Sequence, residues 1–384
     1  GPVYCTAATR DLCGILLPDS GHLQEEDARY ANLRGFSKHK PALPLYTEDD
    51  ARRCLRQLRA VAFGTRTDLG AALNFEFLQA GHILGAAMVL LRGREGSILF
   101  SGDLGRPHDP IMPPPQPVKQ ADHLLVESTY GDRRHSDEDA AEALAKVIKR
   151  TAARGGIILV PSFAVGRAQT LLYLLHRLKA QARIPDLPIF LNSPMAVDAT
   201  RIFWEHRGEH RLSREESEAT CRIARVANTV EESQALNNLR MPAVIIAASG
   251  MATGGRVLHH LKAFAPDPRN TILFSGFQAG GTRGAARRSK PAAMKPCATM
   301  RSGRTASGHP SSFGDPGKIR PVSGTRPAGV RFIRTLAHPA RFSWASPSTS
   351  PVASSASPRP ATWSTPTAPP CCAPRWPGGR TRDR

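Results

Sequence analysis

The chain has 384 residues, with 52 Lys+Arg against 32 Asp+Glu, a formal charge of +20 and seven Cys; at ~150 residues per domain this length fits two or three compact units. No apolar run approaches the ~18 to 20 residues that span a bilayer, and no charged-then-apolar leader opens the sequence, so a membrane or secreted protein is disfavoured and a cytoplasmic enzyme is expected. The cysteines form neither CxxC pairs nor a regular framework, which leaves His and carboxylates to hold any metal.

The opening run Gly1-Pro-Val-Tyr-Cys-Thr is strand-like, with neither a Met nor a turn-rich lead-in before it, and reads as cut into. Five short apolar segments separated by Gly turns follow: Arg59–Phe63, Asn74–Ala80, Ala86–Arg92, Ser97–Ser101 and His123–Glu127. Their length and spacing predict strands. From Ser136, with Asp139 three residues on as in a helix N-cap, the period changes. Ala141, Leu144, Val147 and Ile148 then fall on one helical face until Gly155–Gly156. An alternation follows, in which Ile157–Val160 leads into a helix over Arg167–Lys179 and Pro188–Leu191 into one over Met195–His206. Ala243–Ala247 leads into Arg256–Phe264, and Thr271–Phe274 closes the series. Strand and helix in turn predict a parallel, helix-covered sheet. The chain therefore reads as a mostly β region over 1–131, an α/β region over 132–284 and a tail over 285–384.

The charge belongs mainly to that tail. Residues 285–384 hold 17 Lys+Arg against Asp315 and Asp383, net +15, which leaves +5 for residues 1–284. The tail also carries 16 of the 33 prolines and nine Leu+Ile+Val+Phe, too few apolar groups to offset the entropy of ordering it. Disorder is expected there.

The candidates for chemistry stand at strand ends. His82 projects from the turn Gly81-His82-Ile83-Leu84-Gly85 after Asn74–Ala80, where little bulk blocks approach. Asp103, in Ser101-Gly102-Asp103-Leu104-Gly105, places a short carboxylate on a Gly-bracketed loop, where two cations can share its oxygens. Glu127 closes Leu124-Leu125-Val126. Taken singly, none decides a function: a His in a Gly turn is more often structural, an Asp in a Gly loop more often a turn former. Glu127 divides evenly between capping and catalysis.

In order and interval, however, these segments resemble the β-CASP branch of the metallo-β-lactamase superfamily, the RNA-processing nucleases. The resemblance runs from Gly1–Leu12 through Leu23–Asp27, Ala80–Ala86, Phe100–Gly105 and Glu127–Asp132. It continues through Pro161–Arg167, Asn192–Ala196, Ser249–Arg256 and Gly276–Gly284. It implies a partial metallo-β-lactamase αββα sandwich over 1–131, with an inserted β-CASP parallel α/β domain over 132–284. It further implies a metal-dependent ribonuclease acting through a hydroxide held between two zinc ions, about 3.5 to 4 Å apart in such sites. His82 would ligate one zinc and Asp103 bridge both, and Glu127 would be the acidic residue beside them. The inserted domain would form a cleft for single-stranded RNA, with Ser249, Gly250, Thr253, Gly254 and Gly255 receiving a phosphate on backbone N–H groups. Arg167 would contact RNA or pair with a local carboxylate. RNA, and a second copy as a homodimer, are the expected partners, with no membrane.

The departures are as specific as the matches. The family's HxHxDH string occurs nowhere in the chain, and residues 285–384 hold neither a Ser-x-His-x-Asp nor a His-Gly-Glu element. The loss of resemblance near residue 285, with its jump in Arg, Pro, Ser and Ala, fits a shifted reading frame. With His82 and Asp103 alone, each zinc would keep one or two protein ligands where zinc sites have at least three, so a weak or inactive nuclease is expected. Two other classes stay open: a catalytically dead nucleic-acid-binding member of the same group, and another lactamase-fold hydrolase of thioesters or small esters. The long inserted region argues against the latter.

Overall fold

The computed structural model describes residues 1–132, 139–288 and 331–332. Ser136 and nearly all of the tail expected to be disordered lie outside the described residues.

The first region opens with β1 (Val3–Cys5), α1 (Ala7–Arg34), α2 (Glu48–Leu55) and β2 (Leu58–Ala60), then β3 (Thr67–Gly70), β4 (Leu73–Gln79), β5 (Ala87–Gly93), β6 (Gly96–Phe100) and β7 (His123–Leu125). The expectation of a mostly β region is corrected here, since two helices fill much of residues 7–55. The apolar stripe of α1 is interrupted by Gly14, Pro18 and Gly21, which hid its period, although Thr6 caps it by accepting a hydrogen bond from the Thr9 N–H. Thr47 and Asp50 form a reciprocal capping box on α2. Gly21 lets the two helices touch: a Cβ there would stand 2.6 Å from the Thr47 carbonyl oxygen.

Strands β1 and β2 pair in parallel, while β3 to β6 form an antiparallel meander to which β7 adds in parallel along β6. Leu78, Met88, Leu90 and Leu99 pack one face of this sheet together with Ala80 and the partly buried Leu104 and Leu124. Beside the strands lies an open cleft of about 600 Å³, lined by Glu76, Arg92, Ser97 and residues 116–120.

The second region runs α3 (Ala140–Ala153), β8 (Ile158–Pro161), α4 (Arg167–Ala180), β9 (Ile189–Asn192), α5 (Pro194–Glu205), α6 (Arg214–Arg222), β10 (Arg225–Val226), α7 (Val230–Leu236), β11 (Val244–Ala247), α8 (Val257–Phe264) and β12 (Thr271–Ile272). Helix α3 starts on Asp139, whose carboxylate accepts from the Ala141 N–H at 2.8 Å, so the cap is Asp139 rather than Ser136. The strands form one all-parallel sheet in the order β10-β9-β11-β8-β12. Every residue of β8 and of β11 is buried. Ile158, Val160, Val244 and Ile246 pack against α3 and α4 on one face; Leu159, Ile245 and Ala247 pack with Leu236 of α7 and Val257 and Phe264 of α8 on the other. Two-sided burial explains why these strands read as continuous apolar runs.

Two further elements extend past the expected end of structure at residue 284. Helix α9 (Arg283–Arg288) runs four residues beyond it, and β13 (Arg331–Phe332) pairs in parallel with β7. The two regions share a third core, in which Ala8 and Leu12 of α1 meet Leu84, Ile111, Met112, Tyr173, Ala199, Ile202 and Phe203.

Candidate active site and nucleic-acid face

The turn that carries His82 is fixed by its glycines. Gly81 has φ +67°, and a Cβ there would stand 2.2 Å from the Pro113 carbonyl oxygen. At the turn's far end, the Thr6 and Thr9 hydroxyls donate to the Gly85 carbonyl at 2.8 and 3.0 Å, seating the loop on the N-terminus of α1. The Asp103 loop lies directly on the His82 loop. The Gly105 N–H donates to the Ala80 carbonyl at 2.8 Å, and a Cβ at Gly105 would stand 2.0 Å from the Gly81 oxygen. Only glycine at 105 lets the two backbones come that close.

Leu104 then joins the rim together through its main chain. Its carbonyl lies 3.3 Å from His82 Nδ1, and its N–H donates to Glu127 Oε1 at 2.9 Å. Glu127 is half-buried, donates its own N–H to Ser101 Oγ at 3.0 Å, and accepts from the Thr129 N–H at 3.2 Å. The Leu104 N–H, then the donors of Thr129, hold the Glu127 carboxyl below the usual range, and the nearby His82 acts in the same direction. Glu127 is therefore ionised at neutral pH and committed to positioning Leu104. Asp103 is exposed, and its carboxylate makes no hydrogen bond or ion pair among the described residues.

The rim does not assemble a three-donor metal cluster. Among the described residues, three His, Cys, Asp or Glu side chains with donor atoms within 4.8 Å of one another occur at His22, Glu25 and Glu48, on α1 and α2, and not at His82, Asp103 and Glu127. His82 and Asp103 offer two donors where a zinc site takes three or four, so they do not by themselves fit a two-ion centre.

Loops of the second region continue the same surface. A Cβ at Gly166 would stand 2.9 Å from Ile83 Cγ2, so the Phe163–Gly166 loop abuts the His82 turn. A Cβ at Gly250 would stand 2.8 Å from the Phe163 ring, so the Ser249–Gly255 loop abuts Phe163 in turn. Within that loop the Thr253 N–H donates to Ser249 Oγ at 3.1 Å and the Ala252 N–H to the Ser249 carbonyl. The loop thus uses two of its own N–H donors internally, and the Thr253 hydroxyl also meets Ser249 Oγ at 3.2 Å. Gly255, at φ +71°, closes the turn where a Cβ would meet the Ala248 oxygen at 2.8 Å.

Arg167, at the start of α4, sits close enough to Arg106, Asp109 and Tyr130 to feel their charges. Desolvation first, and Arg106 second, pull its guanidinium below its ordinary value, against the opposing effect of Asp109 and Tyr130. Two neighbouring guanidiniums favour a bound anion. Beside them the Tyr130 and Phe277 rings meet edge to face at 6.2 Å, and these rings and Phe163 remain exposed to solvent. Sequence reading missed Arg106 and the three rings, although Arg106 directly follows the Asp103 loop and Tyr130 lies within Glu127–Asp132.

Residues 168–286 match the Beta-Casp domain. The chain is 36% identical over 303 residues to Ribonuclease TTHA0252 of Thermus thermophilus, a match covering 77% of this chain and 65% of that protein. It is 32% identical over 304 residues to Transcription termination factor FttA of Methanocaldococcus jannaschii, covering 74% and 44% respectively. The RNase J-like protein of the same organism is 27% identical over 286 residues, covering 73% of this chain and 63% of its own length. The chain therefore spans less than two thirds of the length of each of these relatives.

Proposed function

The chain belongs to the β-CASP family of the metallo-β-lactamase superfamily, and from that premise we propose that it is an RNA phosphodiesterase by descent whose face for single-stranded RNA is complete and whose metal centre is not. The observation that carries this reading is the stacked pair of glycine loops: Gly105 packs against Gly81, so the loop bearing Asp103 lies on the loop bearing His82, with Leu104 linking His82 to Glu127. The division into a lactamase-type part over 1–131 and a β-CASP part over 132–284 belongs to the same proposal, and is supported by the separate sheets on either side of that boundary.

Membership of the family implies metal ions. Zinc is our choice among them, because imidazole and carboxylate donors suit it. His82 and Asp103 supply too few donors for tight binding. What this chain's residues do is hold the substrate. Arg106 and Arg167 attract a phosphodiester, and Tyr130, Phe163 and Phe277 offer faces on which unpaired bases stack. Ser249, Gly250, Thr253, Gly254 and Gly255 line the neighbouring loop, and Glu127 keeps Leu104 in place. Single-stranded RNA fits better than duplex because stacking of this kind requires unpaired bases. A cytoplasmic setting and pairing of two copies complete the proposal.

A second reading, a β-CASP protein that binds RNA without cutting it, is favoured by the two-donor count at His82 and Asp103. Incubation of single-stranded RNA with the chain, with and without chelator, separates the two. Slow cleavage abolished by chelator and by Asp103→Asn supports the phosphodiesterase. Salt-sensitive binding without cleavage supports the second reading, and neither binding nor cleavage overturns both. The binding arm is repeated on a chain ending at Gly284, because the Arg-rich tail binds RNA unspecifically.

A further inference from the structure

We propose that His22, Glu25 and Glu48 form a site for zinc or a similar divalent transition ion, which staples α2 onto α1. The site is built on these two helices and not on the loops of the rim, so it stands independently of the nuclease reading.

Among the described residues, these three are the side chains whose donor atoms converge: one atom from each lies within 4.8 Å of the others. His22 and Glu25 are three residues apart on α1, which places them on one side of that helix. Glu48 is the first residue of α2. The glycine between the helices brings it to them. A Cβ at Gly21 would stand 2.7 Å from the Glu48 Cα, so the residue before His22 lies directly on the residue that carries the third donor.

The frame around the three donors is fastened on both sides. The Thr47 N–H donates to Asp50 Oδ2 at 2.9 Å and the Asp50 N–H to Thr47 Oγ1 at 3.1 Å, fixing the entry into α2. One residue earlier the Ser20 and Tyr46 hydroxyls meet at 2.6 Å and tie the two segments together. Main-chain positions are thereby set, and the side-chain rotamers are left to adjust.

The donors are close but not joined. Among the described residues, His22 and Glu25 make no hydrogen bond or ion pair, either with each other or with Glu48. Glu48 gives Oε1 to the Arg52 guanidinium and keeps a second oxygen. Asp19, one turn before His22, is close enough for the two charges to interact, and it adds a third carboxylate to the neighbourhood. A cation relieves the repulsion among these acids. Ligand atoms held 2.0 to 2.2 Å from one zinc stand about 3.4 Å apart, so a shift of about 1 Å within rotamer freedom lets all three reach a shared ion.

The donor set selects the ion. An imidazole with two carboxylates suits zinc and its neighbours in the first transition row, whereas magnesium and calcium take oxygen donors. Three protein donors meet the minimum that the rim misses, and water completes the fourth position. An ion that spans two helices binds the folded chain in preference to the unfolded one and stabilises it.

The test is calorimetric titration of zinc into the full chain, stripped by chelator and freed of RNA, beside the same titration of His22→Ala. Wild type is expected to bind one more zinc per chain at micromolar concentration than His22→Ala does, a difference that cancels any thiol or rim contribution common to both. Glu25→Gln is expected to weaken that site at least about tenfold. Both variants should keep the wild-type unfolding midpoint in chelator, because neither side chain has a described partner to lose, and zinc should raise the midpoint of wild type alone. Arg52→Ala, which releases the second Glu48 oxygen, is expected to tighten binding several-fold, and magnesium should not compete. Equal zinc binding by wild type and His22→Ala, or a wild-type site that disappears in His82→Ala, overturns the proposal. Asp103→Asn is expected to keep the site, so failure of the nuclease reading leaves this one standing and the reverse also holds.

Discussion

The two sheets divide the labour of the molecule. In the parallel sheet, β8 and β11 are buried along their whole length, with helices on both faces. In the antiparallel meander, burial alternates along β5, one side packs a small core, and an open cleft of about 600 Å³ lies beside the strands. Stability is therefore concentrated in the second region. The first supplies loops whose shape is set by close backbone contact and which carry the exposed, reactive side chains.

That contrast can be broken most severely in the parallel sheet. Ile245→Ala removes a wholly buried side chain and is expected to lower unfolding free energy by about 4 kcal/mol in a denaturant titration. A loss below about 1 kcal/mol would show that the second region is not where stability resides.

Acid sharpens the same contrast. Desolvation lowers both His260 and His210 to about 4. The His260 imidazole bonds Asn192 at 2.6 Å through Nε2 and Asn237 at 2.7 Å through Nδ1, and His210 stacks on Phe203 with ring centroids 4.0 Å apart. Their ordinary value is ~6.5. Between that value and about 4 the unfolded chain takes up protons that the folded chain refuses, so stability is complete above pH ~6.5 and falls as pH drops. Lowering pH from 7 to 5 is expected to cost about 2 kcal/mol for each ring. Replacing His260 by Gln should remove part of the pH slope; an unchanged slope would contradict the assignment.

In the first region, Gly105→Ala is expected to cost about 2 kcal/mol, because the new methyl would meet the Gly81 oxygen and force the loops apart. RNA cleavage, where measurable, should fall further than stability does. The smallest effect is expected at Asp103→Asn, within about 0.5 kcal/mol of wild type in stability, since the carboxylate is exposed and has no described partner. Cleavage is nonetheless expected to be lost in that variant, and an unaltered rate would remove Asp103 from the chemistry.

Legibility in the sequence followed the same divide. The second region was readable because strands buried on both faces must be unbroken apolar runs, as Ile157–Val160 and Ala243–Ala247 are. Two of its short helices were overlooked because their residues are polar, although Ser213 with Glu216 and Thr229 with Glu232 form capping boxes visible in the letters. In the first region α1 was missed because Gly14, Pro18 and Gly21 interrupt its period. His82, Asp103 and Glu127 could be picked out as polar groups at strand ends. What joins them could not, because the join is the Leu104 main chain and the fit of Gly105 on Gly81, and neither an amide nor a missing methyl announces its partner in a string of letters.

The Gly81–Gly105 contact has a consequence for how such a protein ages. That contact is main chain against main chain, so it does not depend on the side chains of His82 and Asp103. A lineage can exchange imidazoles and carboxylates one after another while the cradle beneath keeps its contour. The contour of the rim is thereby set by Gly81 and Gly105, whatever donors it presents.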